Sequence, residues 1–189
     1  MNGTVLSNRS AVDRNKTDFY ATPPEVTVAL LDFLESEYVL KPGCTIWEPA
    51  VGNGAMADIM DDRGYRMVVS DLHPQIEGME SIDFLKSHAR CDWIITNPPF
   101  SKATEFIARA LELGKPCAFL LKSQFWHAKS RLDLFREHPP TYVLPLTWRP
   151  GFLYGAKSGS PTMECLWTVW AGGNETIYYP LEKPKGEIT

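Results

Sequence analysis

Apolar residues recur along this chain with two different spacings, and the switches between them outline a fold. In residues 23–37, Val26, Leu30, Phe33 and Leu34 fall three or four apart, the spacing of one helix face. Thr22 precedes Pro23, Pro24 and Glu25, which reads as a helix cap, a proline-rich first turn and an acidic residue three positions on. Short apolar runs at 44–47, 66–70, 92–96 and 116–121 predict strands. Residues 55–64, 102–113 and 130–137 predict helices between them, the second ended by Gly114. Strand–helix alternation of this kind implies a parallel sheet with helices on both faces. The last third changes character: 142–146 and 165–170 predict two strands around a Gly/Ser/Pro-rich loop, a pair that suits antiparallel closure. Trp167 and Trp170 in the second of these strands are expected in the core. Residues 1–16 are polar without periodicity and are expected to form a mobile tail. Residues 17–189 show no repeat or linker and predict a single domain.

Composition narrows the classes. The chain has 189 residues, 44% hydrophobic and 22% charged, as expected of a soluble globular protein. Its formal net charge of -4 argues against a generic polyanion binder but leaves room for one local basic face. Such a face is suggested at residues 121–160, where six basic residues stand against two acidic ones, interleaved with Phe125, Trp126, Trp148, Phe152 and Tyr154. The mixture suits phosphate contact plus stacking on an extruded base, with Lys122, Trp126, Arg149 and Phe152 as candidate target contacts. A solvated face with core aromatics accounts for it equally well. The four cysteines form no CxxC pair and read as reduced core residues of a cytoplasmic protein. No run approaches the roughly 20 apolar residues of a membrane span, and the four histidines have no metal-ligand spacing.

Two turns carry the candidate chemistry. Glu48-Pro49-Ala50-Val51-Gly52-Asn53-Gly54 follows the first strand, and glycines there let backbone approach a ligand closely. Asp71 ends the next strand, where an acidic residue can hold ribose hydroxyls. Gly52, Gly54 and Ala57 also match the loose dinucleotide pattern, so a nicotinamide-dependent oxidoreductase is one reading. A carboxylate at Glu48 would repel a pyrophosphate, however. It suits a ligand carrying an amino group and a sulfonium, which describes S-adenosylmethionine.

The second turn is Asn97-Pro98-Pro99-Phe100, directly after the strand at 92–96. Two prolines fix two φ angles and make a rigid turn at the carboxyl edge of the sheet. An aromatic amine is a poor nucleophile because its lone pair is delocalised into the ring. The Asn97 side-chain oxygen and the Pro98 carbonyl could accept its two N–H bonds and draw the nitrogen toward a tetrahedral form. Phe100 could stack on the base. Preplaced dipoles of this kind act in the transition state.

With these motifs in this order, the chain resembles the amino-methyltransferases, especially the DNA adenine-N6 methyltransferases of bacteria and phages, from residue 19 to about residue 170. The resemblance implies a Rossmann-like class I methyltransferase, an α/β fold whose seven-stranded sheet is mostly parallel with one antiparallel strand. It implies S-adenosyl-L-methionine as cofactor and DNA as substrate. It places Tyr20, Thr22 and Pro23 at the methionine end of the cofactor, and Glu48, Pro49, Gly52 and Gly54 in its glycine loop. Asp71 then meets the ribose hydroxyls, Asp83 the adenine amino group and Phe84 the adenine ring. Asn97, Pro98, Pro99 and Phe100 form the catalytic tetrad. Two departures stand out: Glu48 occupies a position where Asp is commoner, and 189 residues leave no room for a separate target-recognition domain. Specificity is therefore expected from loops or a protein partner. RNA bases and protein glutamine are alternative substrates, and a non-catalytic nucleic-acid-binding module on the same fold is an alternative of another class.

Overall fold

The computed structural model describes residues 21–154, 157–158, 163–173 and 175–186. Helix α1 (Pro24–Ser36) has Pro23 at its N-cap position and buries Val26, Leu30, Phe33 and Leu34. Thr22 was expected as the cap, but no side chain caps this helix. The Thr22 hydroxyl instead accepts a hydrogen bond from Asn97, 75 residues away. Proline in the first turn lowers the need for a cap, since it brings no N–H to satisfy.

Helix α2 (Ala55–Asp62) joins strand β1 (Thr45–Glu48) to β2 (Arg66–Val69), residues 70–92 lead without a helix to β3 (Trp93–Thr96), and α3 (Ala103–Glu112) leads to β4 (Cys117–Lys122). The short helix α4 (Leu132–Glu137) leads to β5 (Tyr142–Pro145). Two-residue strands β6 (Leu153–Tyr154) and β7 (Lys157–Ser158) pair with each other inside the segment expected to be a loop. Strands β8 (Cys165–Trp170) and β9 (Ile177–Tyr178) complete the chain.

The main sheet has seven strands in the order β2-β1-β3-β4-β8-β5-β9. All pairs are parallel except those of β8, which is antiparallel to both β4 and β5. One reversed strand in a mostly parallel sheet is the architecture expected. The seventh strand is the exposed edge pair Ile177–Tyr178, which no apolar run signals. Period-two alternation divides the sheet's side chains between two cores. Ile46, Ile95, Leu120 and Trp167 pack with α1 and α2, while Trp47, Ile94, Phe119 and Trp170 pack with α3. The Trp167 indole also donates to the Val26 carbonyl (3.0 Å), tying the first turn of α1 to the sheet. Cys91, Cys117 and Cys165 are buried and all four thiols are free. Burial pushes Cys44 up to about 11 and Cys165 up to about 12, so both stay protonated at neutral pH.

The order places the site. β1 turns outward to β2 on one side, and the chain then returns to build β3 and β4 on the other. The carboxyl ends of β1 and β3 therefore flank the point where strand order reverses, the usual ligand crevice of such sheets.

Candidate functional site

β1 delivers Glu48 to that crevice. The side chain is only 2% exposed, yet it lines a cavity of about 550 Å³, within the range of small-molecule sites. The Ala57 backbone N–H bonds the carboxyl, while Oε2 has no hydrogen-bond partner among the described residues. Burial raises its pKa well above the usual carboxylate range, and the nearby Asp71 and Asp58 raise it further. A buried acid among acids, open to a cavity, is a position prepared for a cation.

The glycine turn is held by backbone geometry. Gly52 (φ 54°) and Gly54 (φ 91°) lie in the left-handed region that glycine alone enters without strain. At Gly54 a Cβ would meet nothing closer than 3.6 Å, so dihedral angle and not space selects glycine there. Asp71, just past β2, staples this turn: Oδ2 accepts from the Gly52 N–H (2.8 Å) and Oδ1 from the His73 N–H (2.7 Å). A carboxylate has about four acceptor positions, so capacity for ligand hydroxyls remains.

Asp83 and Phe84 form a further wall. Asp83 Oδ1 accepts from the Leu85 N–H (3.0 Å), and Oδ2 lies 3.4 Å from the Lys86 ammonium. The buried Phe84 ring packs edge-on to Trp47 at 5.0 Å and tilts on Phe106 at 4.8 Å.

β3 delivers the second turn to the same cavity, so Asn97, Pro98 and Pro99 line it together with Glu48. The Asn97 amide nitrogen donates to Thr22 Oγ1 (3.0 Å), and its Oδ1 is buried. Phe100 opens a single 3₁₀ turn, Phe100–Lys102, and the Lys122 ammonium sits 3.8 Å above the centre of its ring.

Among the other expected cofactor residues, Thr22, Pro49, Asp71, Asp83 and Phe84 line the cavity. Gly52 and Gly54 shape its turn without lining it, Pro23 is buried at the start of α1, and Tyr20 lies outside the described residues. The expected target contacts do not converge. Phe152 is 3% exposed and belongs to the core under α1, where apolar burial holds its ring away from solvent. Trp126 stacks on Phe135 at 4.3 Å. Arg149 pairs with Glu164 at 2.7 Å on the surface. Arg131, also in the basic segment, lies over the Phe125 ring at 4.0 Å and donates to the Phe125 carbonyl. The cavity also recruits Leu72, His73, Gln75, Lys102 and Phe106, which sequence reading passed over. Leu72 and His73 directly follow the strand-ending Asp71, and that position was the available signal. No group of three or more metal-ligating side chains occurs among the described residues, and none of their helices is long and apolar enough to cross a membrane.

No family model and no curated protein sequence matches this chain. Its structure is similar to solved ones at low identity. A protein of Pyrococcus horikoshii described as an RNA methyltransferase superposes with a TM-score of 0.64 at 16% identity, covering 82% of this chain and 88% of that one. A protein of Listeria monocytogenes described as a class I S-adenosylmethionine-dependent methyltransferase gives 0.61 at 13% identity, covering 88% and 67%. The methyltransferase subunit of a type I restriction-modification system from Streptococcus thermophilus gives 0.62 at 12%, covering 85% of this chain. The chain spans about half of that subunit, 47% of its length. The fold is thus the Rossmann-like one of class I methyltransferases.

Proposed function

We propose that this protein is an S-adenosylmethionine-dependent methyltransferase acting on an exocyclic amino nitrogen, with adenine N6 in DNA as its substrate. The observation that carries the reading is one cavity lined both by Glu48 with the loop after it and by Asn97, Pro98 and Pro99. A donor seated against Glu48 and its loop would share that cavity with an amine held at Asn97.

The cavity fits the cofactor on its own chemistry. The buried Glu48 oxygen without a partner suits the amino and sulfonium charges, Asp71 the ribose and Asp83 with Phe84 the adenine. When bound, the cofactor supplies an electrophilic methyl group on sulfur. The protein's own part is to orient and polarise. Asn97, hydrogen-bonded to Thr22, and the Pro98 carbonyl accept hydrogen bonds from the amine's two N–H groups, so the nitrogen lone pair turns toward the methyl. Phe100 stacks on the base. Positive charge passes to the amine during transfer, and preoriented acceptors stabilise it there. Buried walls at Phe84 and Phe106 keep water away.

Outside the cavity, Trp126 and the exposed Arg149 offer stacking and phosphate contact to nucleic acid. Target choice then falls to these loops or to a protein partner; two of the similar structures are modification subunits of multi-subunit restriction systems. Similarity to a protein described as an RNA methyltransferase makes RNA the second reading. Transfer of tritium from labelled cofactor to separate pools of DNA, RNA and protein tests both. Label in DNA at adenine N6 is expected. Label confined to RNA or protein overturns the DNA assignment, and absence of cofactor binding overturns the enzyme in favour of a docking module.

A further inference from the structure

We propose that Arg109 is a positioning residue: from α3 it holds the turn that carries Asp83 and Phe84 to the cavity, and so sets that wall's preference for a purine with a 6-amino group. The place of the cofactor adenine against Asp83 rests on the function proposed above.

The turn lies within residues 70–92, where no helix orders the chain. Upstream it is tied to the end of β2. Asp71 and Ser81 form a single β-bridge, the Ile82 N–H donates to the Asp71 carbonyl (2.8 Å), and Ser81 Oγ donates to the Leu72 carbonyl (2.7 Å). Within the turn, the Leu85 N–H binds Asp83 Oδ1, and the Lys86 and Ser87 N–H groups return to the Asp83 and Phe84 carbonyls (3.1 and 3.4 Å). Downstream, Arg109 Nη2 donates to the Ser87 carbonyl (2.8 Å). Asp83 and Phe84 are thus held between one anchor on the sheet and another on α3.

α3 meets this turn with two residues three positions apart, hence on one face. Phe106 packs on Phe84 at 4.8 Å, an apolar stop that sets depth but resists sliding poorly. Arg109 adds a directional bond to the same turn, and Glu112 aims the guanidinium by accepting from Nη1 at 2.7 Å. The Arg109 side chain is 20% exposed. Its Nε and the Ser87 hydroxyl are buried with no hydrogen-bond partner among the described residues. Groups left in that condition cost stability, and an apolar side chain of similar length would cover the same surface without an orphaned N–H. What the arginine supplies is therefore direction. Held in this way, Asp83 offers the cavity an ionised carboxylate, which only accepts hydrogen bonds. A 6-amino group donates to it, and a 6-oxo group repels it.

The test compares the wild type with Arg109→Met and Arg109→Lys in the full chain, with two readouts. The first is calorimetric affinity for S-adenosylhomocysteine and for its 6-oxo counterpart, S-inosylhomocysteine. The wild type should prefer the 6-amino ligand about tenfold, the scale of one hydrogen bond to a charged group. Arg109→Met should melt within a few degrees of the wild type and lower that preference to about twofold, with affinity for the 6-oxo ligand unchanged. Arg109→Lys, which keeps a donor but not the fork, should be intermediate. In an Asp83→Asn background Arg109→Met should add nothing. The second readout is hydrogen exchange without ligand: Arg109→Met should speed the amides of residues 85–87 about tenfold and leave those of β3 unchanged. An equal loss of affinity for both ligands, or full preference in either folded variant, overturns the positioning role. The two readings also fail apart. A wild type without preference whose Met variant still exchanges faster removes adenine from Asp83 and keeps the anchor. A wild type with preference whose variants exchange and discriminate like it removes the anchor and keeps the adenine.

Discussion

The carboxyl edge of this sheet has two halves built on different terms. Around β1, β2 and β3, residues from four separate motifs face one cavity: Glu48, Asp71, Asp83 and Asn97. Around β4, β5 and β8, the basic and aromatic residues of one continuous segment scatter. Phe152 enters the core, Trp126 stacks on Phe135, Arg149 pairs at the surface, and Lys122 reaches the turn after β3. The difference shows that a turn motif and a compositional patch are unlike signals. A turn motif is constrained by backbone sterics and stays where its strand ends. A patch in sequence becomes a patch in space only if strand phase and burial happen to put its members on one side.

Four substitutions sharpen or break this contrast. The largest effect is expected from Phe152→Ala, which should destabilise the protein by about 3–5 kcal/mol in denaturant unfolding, as for a buried aromatic ring. If it instead impaired DNA binding at unchanged stability, the two halves would be more alike than their packing indicates. Next is Asn97→Ala, which removes one of the proposed transition-state acceptors. Turnover should fall about a hundredfold while calorimetric affinity for the cofactor holds. Wild-type turnover would deny Asn97 its role.

Glu48→Gln should weaken cofactor binding roughly tenfold, the scale of one charge-assisted hydrogen bond. It also has a pH signature. Burial raises the Glu48 pKa in the folded chain, so the folded state holds this proton more tightly than the unfolded one. Its contribution to stability is whole below the ordinary carboxylate range and is lost as pH rises toward the raised value. Ligand-free Glu48→Gln should therefore melt higher than wild type at pH 8, with the gap closing at low pH. Cofactor affinity of the wild type should climb with pH over the same window, and the variant should lack that slope. The smallest effect is that of Arg149→Ala. Its exposed pair with Glu164 is worth less than about 1 kcal/mol, so stability should hold. DNA affinity should fall alike for all sequences, with the salt slope reduced by about one.

Much of the fold could be read before any coordinate. Strands β1 to β4 and the helices between them appear within a few residues of their expected bounds, because each has a local period and a local stop. Trp167 and Trp170 lie in the core as expected. Thr22 was misjudged, since its neighbours favour a cap and its actual partner stands 75 residues away. The edge strand Ile177–Tyr178 was missed because two exposed residues have no periodicity to detect.

Sterics between chain neighbours already specify the two turns. Glycine at 52 and 54 permits the left-handed turn, and Pro98 and Pro99 fix their own φ angles. What they could not specify is that β1 lies beside β3, which brings Glu48 and Asn97 to one cavity. Nor could they specify that Asp71 closes the glycine turn, or that a lysine from β4 covers Phe100. Those choices belong to strand order and burial, which are decided by how the two cores close over the whole sheet and not by any stretch of chain alone.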